Sequence, residues 1–339
     1  MASNVYEIAL EAGVSQPTVS QILGKRAHLF RPETRKRVLD AAAKLGYRPN
    51  ASARAMSRGR FNAVGLLTRA NAADQVSADT TWAIQEELIA RDWHLMAGLI
   101  HDGDGSNGRV PKLLSEWLAD GLLISYPTAM PDRLLEVITL HSIPSVWINS
   151  KLSQDCVYPD DFNSLKFGTE QLLASGHRRV LYLHLAWPSP HYSVADRHAG
   201  YCAAMGGAGL QPWAMRVGME LVEPVDEVAL VRRVLSLPAG ERPTAVVTYG
   251  ESEAKLLLYQ AATLGVRVPQ DLSLLAVRPH RMPEFGVDLS TLELPGGEVG
   301  HAAVQMLVRK IDDPAVMLPA EGIPHKFHAG GTCVPPASL

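Results

Sequence analysis

A short polar segment near the N-terminus carries side chains suited to reading nucleic acid. Gln16 and Gln21 each end in a carboxamide that can pair with adenine in a bidentate way, and Pro17 can offer an apolar contact to a thymine methyl group. Thr18 and Ser20 carry hydroxyl groups that suit phosphates, and such contacts position a protein on DNA without specifying a sequence. The segment is therefore a candidate DNA-reading helix.

The residues around this segment predict a helix-turn-helix at residues 5–22. Asn4 is expected to cap the first helix, with Glu7 reaching back to it. Ala9 is small where two helices must cross, and Gly13 supplies a turn conformation with positive φ. Ser15, which we include among the DNA-binding residues, can cap the second helix, with Pro17 tolerated in its first turn. The buried stripe of the second helix is expected to be Val14, Val19 and Ile22.

A third helix and a short connecting segment follow. The helix is expected to begin after Pro32 and to stop at Gly46. Its buried face is expected to comprise Val38, Leu39, Ala42 and Leu45. Residues 47–49 break the helix, and residues 50–57 are weakly helical with little core of their own. Such a segment can be disordered alone and helical when docked.

The charge of the chain is distributed unevenly. Residues 1–60 contain 11 Lys or Arg and 4 Asp or Glu, a net charge of +7, whereas the 339-residue chain has a net charge of −3. The remainder therefore carries −10, and the basic N-terminal part alone is suited to a polyanion. The length also predicts a small domain joined to a large or two-lobed one.

Composition argues against several classes of protein. No apolar run approaches the roughly 18 residues of a membrane helix, and the start lacks a signal-peptide core. The three cysteines are widely scattered, and the 12 histidines include no cluster with metal-ligand spacing. We therefore expect a cytoplasmic protein with no membrane association, no metal and no cofactor.

From residue 62 the sequence alternates apolar strands with amphipathic helices. Expected strands cover residues 63–67, 94–99, 121–125, 145–148, 179–185, 244–248 and 272–277, and expected helices cover residues 81–91, 165–175, 198–206 and 252–264. Strands buried on both faces and alternating with helices indicate parallel, doubly wound sheets. About ten such units exceed one sheet, so two lobes are expected.

Motifs distributed along the chain closely resemble those of the LacI-type (lactose and galactose repressor) family of bacterial transcription regulators. The most specific are Ile8-Ala9-Leu10-Glu11-Ala12-Gly13-Val14-Ser15 with Thr18-Val19-Ser20, and Leu45-Gly46-Tyr47-Arg48-Pro49-Asn50-Ala51. In the body, the matching runs are Gly176-His177-Arg178-Arg179-Val180, Arg197-His198-Ala199-Gly200-Tyr201 and Val268-Pro269-Gln270-Asp271-Leu272-Ser273. Each run is weakly specific, but their order and spacing together are strongly so.

The resemblance implies a small all-α helix-turn-helix head and an α/β two-lobed body like a periplasmic sugar-binding protein. We expect the head at residues 1–48, a hinge at 49–60 and an effector-binding and dimerisation domain at 61–339. Lobe 1 is expected at about 61–160 and 291–322, and lobe 2 at about 161–290 and 323–337. The implied assembly is a homodimer or a higher oligomer, with a small effector bound between the lobes.

The resemblance also implies how double-stranded DNA would be bound. Gln16, Pro17 and Gln21 fall at positions that vary within the family and set its choice of sequence. Met56 stands where the family has a leucine wedged into the minor groove, and the alternative is that it packs on a dimer partner. Asn50 and Arg54 complete the expected contacts to a palindromic operator.

The expected effector pocket departs from the family pattern. Gly250-Glu251 replaces an Asn-Asp pair, and Arg278 stands in place of an aspartate. An Asn-Pro-Phe-Phe run expected after the first strand is missing, and Arg69-Ala70-Asn71-Ala72 lies nearby instead. Arg197 matches a pocket arginine of the family. Two convergent arginines, Arg197 and Arg278, would suit a carboxylate or phosphate better than a neutral sugar. The alternative is that Arg278 forms a local salt bridge with Glu251. Further candidates for effector contacts are Asn163, Trp187 and Tyr249.

We therefore expect a repressor of carbohydrate-related genes, switched by a sugar, sugar acid or sugar phosphate and without enzymatic activity. An activator, or a regulator that needs a corepressor, is the alternative within the family. A hydrolase is a remote alternative, because Ser252 follows a strand and opens a helix as a nucleophile does, with Asp288 and His301 further along. A secreted binding protein with the same body fold is disfavoured by the basic head.

Overall fold

The computed structural model describes residues 4–24, 26–48, 59–70, 76–101, 104, 109–116, 118–126, 130–185, 191–216, 226–284 and 286–337. The chain divides into two compact units, Met1–Phe61 and Asn62–Leu339. We refer to the first as the head and to the second as the body.

Three helices form the head: α1 (Val5–Ala12), α2 (Gln16–Ile22) and α3 (Pro32–Lys44). The expected capping box is present, because the Glu7 amide donates to Asn4 Oδ1 (3.0 Å) and the Asn4 amide donates to Glu7 Oε2 (3.2 Å). Gly13 ends α1 with φ +65°, as predicted. The helices share a small apolar core of Ile8, Ala9, Ala12, Val19, Ile22, Val38, Ala41 and Ala42.

One residue of the expected buried face of α3 is exposed instead. Leu39 is 53% exposed, whereas Val38, Ala41 and Ala42 are buried and Leu45 packs against them. Helical periodicity explains the difference, since positions spaced by three, four and seven residues share a face. Leu39 follows Val38 directly and therefore points about 100° away from it.

The first sheet of the body has six strands in the order β11-β5-β4-β3-β1-β2, all parallel. These strands are β1 (Ala63–Arg69), β2 (His94–Ile100), β3 (Gly121–Ser125), β4 (Ser145–Ile148), β5 (Cys156–Pro159) and β11 (Glu321–Ile323). One face packs on α4 (Ala78–Ile89) and α11 (Gly296–Asp312). The other packs on α5 (Lys112–Ser115) and α6 (Asp132–Leu140).

The second sheet also has six strands, in the order β12-β10-β9-β8-β6-β7. They are β6 (Val180–His184), β7 (Trp213–Arg216), β8 (Ala245–Thr248), β9 (Ser273–Arg278), β10 (Ser290–Glu293) and β12 (Lys326–His328). Helices α7 (Asp161–Ala174) and α8 (Tyr192–Gly207) cover one face, and α9 (Glu227–Leu235) and α10 (Glu251–Thr263) cover the other. Only the edge strand β12 runs antiparallel to its neighbour. The doubly wound α/β fold predicted from the sequence is thus confirmed.

The chain passes between the two sheets three times, at residue 160, at residues 294–295 and at residues 324–325. The expected lobe boundaries placed residues 291–293 in lobe 1 and residue 323 in lobe 2, and both differ from the structure. Strand β10 lies in the second sheet, and Ile323 ends β11 in the first. With Ser, Thr, Leu and Glu as its residues, β10 lacks the apolar run that reveals a buried strand. We call the two halves of the body lobe 1 and lobe 2.

The described helices differ from those that cross a bilayer. None of them is both long enough and apolar enough to span a membrane.

Candidate functional sites: the head and the interlobe face

Helix α2 presents one polar face and buries the other. Val19 and Ile22 are buried against the head core, while Gln16, Pro17 and Ser20 are exposed. Gln21 is half-buried at the edge of the same face. The candidate base-reading side chains thus share the exposed surface of α2, where they can be reached by a partner.

Hydroxyl groups at the start of α2 fix its first turn. Ser15 Oγ lies 2.9 Å from Thr18 Oγ1 and accepts a longer bond from the Thr18 amide (3.4 Å). Ser15 is therefore the N-cap of α2, and Pro17 occupies its first turn, as predicted. An ion pair between Lys44 Nζ and Glu11 Oε1 (2.7 Å) links the end of α3 to α1.

Four candidate residues lie outside the described part of the chain. They are the hinge residues Asn50, Arg54 and Met56, and the candidate effector contact Trp187.

The remaining effector candidates lie mainly where the strands of lobe 2 approach lobe 1. Strand β5 leads directly through residue 160 into α7, so the carboxyl ends of the parallel strands of lobe 1 face lobe 2. Since α7 runs away from that crossing, β6, β8 and β9 return toward it. Their carboxyl ends carry His184, Tyr249 and Arg278. Ligands of open α/β sheets bind at such carboxyl edges.

Arg197 of α8 lies at the centre of this edge and is already paired. Its Nε donates to Asp161 Oδ1 (2.5 Å) and its Nη1 donates to the Tyr249 carbonyl (2.6 Å). The guanidinium also lies over the Tyr249 ring, 4.5 Å from its centroid. The side chains of Arg197 and Asp161 are only 9% and 1% exposed. A buried ion pair therefore connects the first crossing to the end of β8.

The Asp161 carboxyl is shared with a second crossing. His325 Nε2, in a fully buried ring between β11 and β12, lies 3.2 Å from Asp161 Oδ1. Burial would raise the pKa of Asp161, but the Arg197 charge and the neighbouring His325 ring outweigh it and hold the pKa well below its usual range. Asp161, next to the crossing at residue 160, therefore contacts His325 in the crossing at residues 324–325.

A hydrogen-bonded series of side chains runs from Tyr249 toward lobe 1. Tyr249 Oη lies 2.9 Å from Ser193 Oγ, which in turn lies 2.7 Å from His191 Nδ1. His191 Nε2 lies 3.0 Å from the carbonyl oxygen of Asn149 in lobe 1. On its other side, the Tyr249 ring packs on His184, with centroids 4.2 Å apart. This arrangement is a largely buried cluster of aromatic and polar groups, in which His184 and Ser193 are buried and Tyr249 is half-buried.

Arg278 does not converge with Arg197 as an unpaired cation. Its Nη2 donates to Glu251 Oε1 and Glu284 Oε2, both at 2.9 Å, and its Nη1 donates to the Met282 carbonyl (2.6 Å). The guanidinium is buried. The local salt bridge with Glu251, the alternative interpretation of Arg278, is therefore what the structure contains. Of the two arginines expected to attract an anion, one is neutralised by Asp161 and the other by two glutamates.

Two further predicted residues lie apart from these pairs. Arg69 ends β1 in lobe 1, with its guanidinium carbon 5.9 Å from the centroid of the Tyr126 ring. Asn163 is exposed in the first turn of α7, where its Nδ2 donates to Asp160 Oδ2 (2.7 Å). Of the seven expected effector contacts, the structure brings together Arg197 with Tyr249 and Arg278 with Glu251.

Sequence reasoning missed several groups at this edge: Asp161, His184, His191, Ser193, Glu253 and His325. Glu253 is buried and accepts a hydrogen bond from the Leu185 amide (3.1 Å), and burial raises its pKa. The sequence could have indicated His184, because it ends a predicted strand and shares a face with Tyr182, two residues earlier. Glu253 and His325 gave no such signal, because both stand among polar or loop residues.

The residues of the hydrolase alternative are not assembled into a catalytic arrangement. His301 Nδ1 lies 3.0 Å from Glu87 Oε2, between two helices of lobe 1. Asp288 pairs with Arg281 in lobe 2 (2.7 Å), and Ser252 lies in the first turn of α10. Within the described residues there is also no group of three or more His, Cys, Asp and Glu able to hold a metal ion.

Known proteins resemble this chain along nearly its whole length. A model for bacterial regulatory proteins of the lacI family matches residues 4–50, and one for periplasmic binding protein-like domains matches residues 169–333. The HTH-type transcriptional repressors PurR of Erwinia tasmaniensis and Escherichia coli are both 27% identical, over 320 and 316 residues, covering 91% of this chain and 90% of theirs.

Solved structures show the same fold. The lac repressor dimer bound to operator and the anti-inducer ONPF superposes with a TM-score of 0.79 at 21% identity, over 98% of this chain and 100% of that one. The regulator CelR in complex with cellobiose gives 0.62 at 20% identity with the same coverage. The head and the two-lobed body thus define a DNA-binding transcriptional regulator with an effector-binding domain. The head matches the lacI family of bacterial regulatory proteins, and the body matches a periplasmic binding protein-like domain.

Proposed function

We propose that this protein is a transcriptional repressor that binds a palindromic operator as a homodimer and is switched by a neutral, hydroxyl-bearing effector. The exposed polar face of α2, in a lacI-family head joined to a two-lobed body, carries the proposal. The PurR relatives are named as repressors, and the lac repressor dimer was solved with its operator. A repressor of this kind works in the cytoplasm, where its operator is.

In this proposal α2 enters the major groove. Gln16 and Gln21 contact base edges, and Pro17 contacts a thymine methyl group. Ser15, Thr18 and Ser20 hold phosphates, supported by the hydroxyl pair at the start of the helix. In the hinge, Asn50 and Arg54 bind the DNA and Met56 is the minor-groove wedge.

Exposed apolar side chains on lobe 1 support the homodimer. Trp82 and Ile89 on α4 are 68% and 62% exposed, and Leu99 on the edge strand β2 is 48% exposed. Among the described strands β2 pairs with β1 alone, so no described strand occupies its outer edge. A second copy packing here would cover three large apolar side chains that water otherwise surrounds.

The charge of the interlobe face favours a neutral effector. Arg197 is paired with Asp161, and Arg278 with Glu251 and Glu284, so an anion would have to displace a carboxylate from each arginine. The half-buried Tyr249 side chain, backed by the buried His184 ring and Ser193 hydroxyl, suits a ring that carries hydroxyl groups. A role in regulating carbohydrate genes follows from this choice of effector.

Two measurements test the proposal. Selection from a randomised DNA library should return a palindrome bound with an affinity that falls steeply as salt rises. A thermal-shift panel should show stabilisation by neutral sugars and none by sugar acids or sugar phosphates at equal concentration. Salt-independent DNA binding would contradict the first part, and stabilisation restricted to anionic compounds would contradict the second.

A further inference from the structure

His191 makes a direct polar contact between the two lobes at the interlobe face. Its ring is the N-cap of α8 in lobe 2, where Nδ1 accepts from the Ser193 amide (3.3 Å). At the opposite side of the same ring, Nε2 lies 3.0 Å from the Asn149 carbonyl oxygen, just after β4 of lobe 1. One imidazole thus caps a helix of one lobe and reaches the backbone of the other.

These contacts dictate which nitrogen of His191 carries the proton. A carbonyl oxygen can only accept, so Nε2 must donate to Asn149. An amide can only donate, so Nδ1 must be unprotonated where it meets the Ser193 amide. The neutral tautomer with its proton on Nε2 therefore satisfies both contacts at once, and the orientation of the ring is fixed by lobe 2.

The same ring is coupled to the side chain that we assign to the effector. Since Nδ1 accepts, the Ser193 hydroxyl donates to His191 Nδ1 (2.7 Å), and Tyr249 Oη donates to Ser193 Oγ (2.9 Å). Tyr249 is in turn held by Arg197 through its carbonyl and its ring. An effector that accepts the Tyr249 hydroxyl proton would remove the donor from Ser193 Oγ, which lies two hydrogen bonds away from lobe 1.

We propose that His191 is a positioning residue that latches the lobes together and transmits occupancy of the Tyr249–Ser193 pair to lobe closure. The transmission rests on the proposed effector site, whereas the latch itself does not. Another interlobe contact nearby, Lys151 Nζ to Asp196 Oδ2 (2.6 Å), joins side chains that are 40% and 20% exposed. Tyr192 Oη also donates to the Pro159 carbonyl of lobe 1 (3.0 Å), but of these contacts only the His191 ring is hydrogen-bonded directly to Ser193.

The test separates the cap from the latch by side-chain length. Asparagine at position 191 can still accept from the Ser193 amide, since it is a good N-cap, but it is too short to reach lobe 1. Glutamine places a donor near the position of Nε2. The variants His191→Asn and His191→Gln would be compared with the native full-length chain. Ala195→Ser, at an exposed position of the same helix, is the matched control.

Lobe closure would be measured by pulsed electron spin resonance in the absence of DNA and effector. Spin labels at the exposed positions Glu136 of α6 and Glu170 of α7 report the distance between the lobes. The native cysteines are replaced by alanine, and the labelled chain is diluted with unlabelled protein. We expect His191→Asn to shift the distribution to longer distances with an unchanged melting temperature. His191→Gln should recover at least half of the short-distance population.

A distribution for His191→Asn identical to that of the native chain would overturn the latch. The latch would also be overturned if His191→Gln opened the lobes as far as His191→Asn does, because then the donor at Nε2 is irrelevant. Since neither DNA nor effector is present, failure of the latch is distinguishable from failure of the proposed repressor function, which the DNA selection tests.

Discussion

Arg278 and Glu251 form an ion pair between the end of β9 and the first turn of α10, with Nη2 2.9 Å from Oε1. Glu284 contributes a second carboxylate at the same distance from the same nitrogen. The arginine is buried and holds its own loop through the Met282 carbonyl. This end of lobe 2 is therefore satisfied internally before any effector arrives.

Removal of Arg278 should destabilise the body. Arg278→Met leaves the Glu251 and Glu284 carboxylates close together. We expect the free energy of unfolding to fall by about 2–4 kcal/mol. The loss is smaller than for a fully buried pair, because both glutamates are partly exposed. Urea denaturation at pH 7 measures it. Arg278→Met/Glu251→Gln should recover part of the loss, and a single variant as stable as the native chain would contradict the assignment.

The Asp161–Arg197 pair should make stability depend on pH in the acid range. The pKa of Asp161 is lowered in the folded protein from its usual 3.8, so its contribution is present above that pH and is lost as the pH falls below it. Asp161→Asn should cost about 3 kcal/mol at pH 7, because it leaves Arg197 buried with a neutral partner. Denaturation at several pH values should show that the difference in free energy of unfolding between the native chain and Asp161→Asn becomes smaller between pH 5 and pH 3. A difference that grows in acid would contradict the lowered pKa of Asp161.

The sequence predicted most of the sheet strands because they are apolar and four or more residues long. Strands β3 and β4 were predicted to the residue, and β1, β2, β6, β8 and β9 within two residues. The strands β5, β7, β10, β11 and β12 were missed, since three or four residues are too few to show a period. Helix α11 was missed as well, because its start at Gly296-Gly297 resembles a loop.

The site was less predictable than the fold for a physical reason. The motif around Arg197 identified the arginine of the ion pair. The carboxylate that pairs with it belongs to Asp161, 36 residues earlier, and the His325 ring lies beside that carboxylate. Such pairings depend on how three chain crossings meet, which local spacing does not encode. The salt bridge between Glu251 and Arg278 was an alternative interpretation from the sequence, because the two residues carry opposite charges and follow consecutive predicted strands.

Replacement of Trp82 by a charged residue should weaken self-association. Trp82→Glu would place a carboxylate in the apolar strip formed with Ile89 and Leu99, and burying that charge at a dimer interface is unfavourable. Sedimentation velocity should show a dissociation constant raised at least tenfold. Leu140→Glu is the control, since Leu140 is 77% exposed on α6, on the opposite face of the same sheet. Equal loss in both variants would point to general destabilisation.

The two kinds of α2 contact should differ in how they affect DNA recognition. Gln21→Ala should relax the preference at one base pair of each half-site, with a loss of about 1–3 kcal/mol for the preferred base. Ser20→Ala should weaken all sequences alike, because a phosphate contact carries no base information. Fluorescence anisotropy against operators substituted at each position distinguishes the two patterns. A uniform loss for Gln21→Ala would remove it from the base-reading set.

The crossing of α7 and α8 should tolerate no side chain at Gly200. A Cβ atom there would lie 2.2 Å from the Phe162 carbonyl oxygen and 3.0 Å from the Lys166 amide, both backbone atoms that cannot move without separating the helices. Gly200→Ala is therefore expected to cost about 3 kcal/mol by overpacking. Gly206 of the same helix has no atom within 4 Å of such a Cβ, so Gly206→Ala should instead gain up to about 1 kcal/mol from helix propensity. Urea denaturation of both variants measures these effects. Gly200 packs beside the turn that carries Arg197. If Gly200→Ala left the stability unchanged, the helices could separate, and their close approach would not be what holds the Arg197–Asp161 pair.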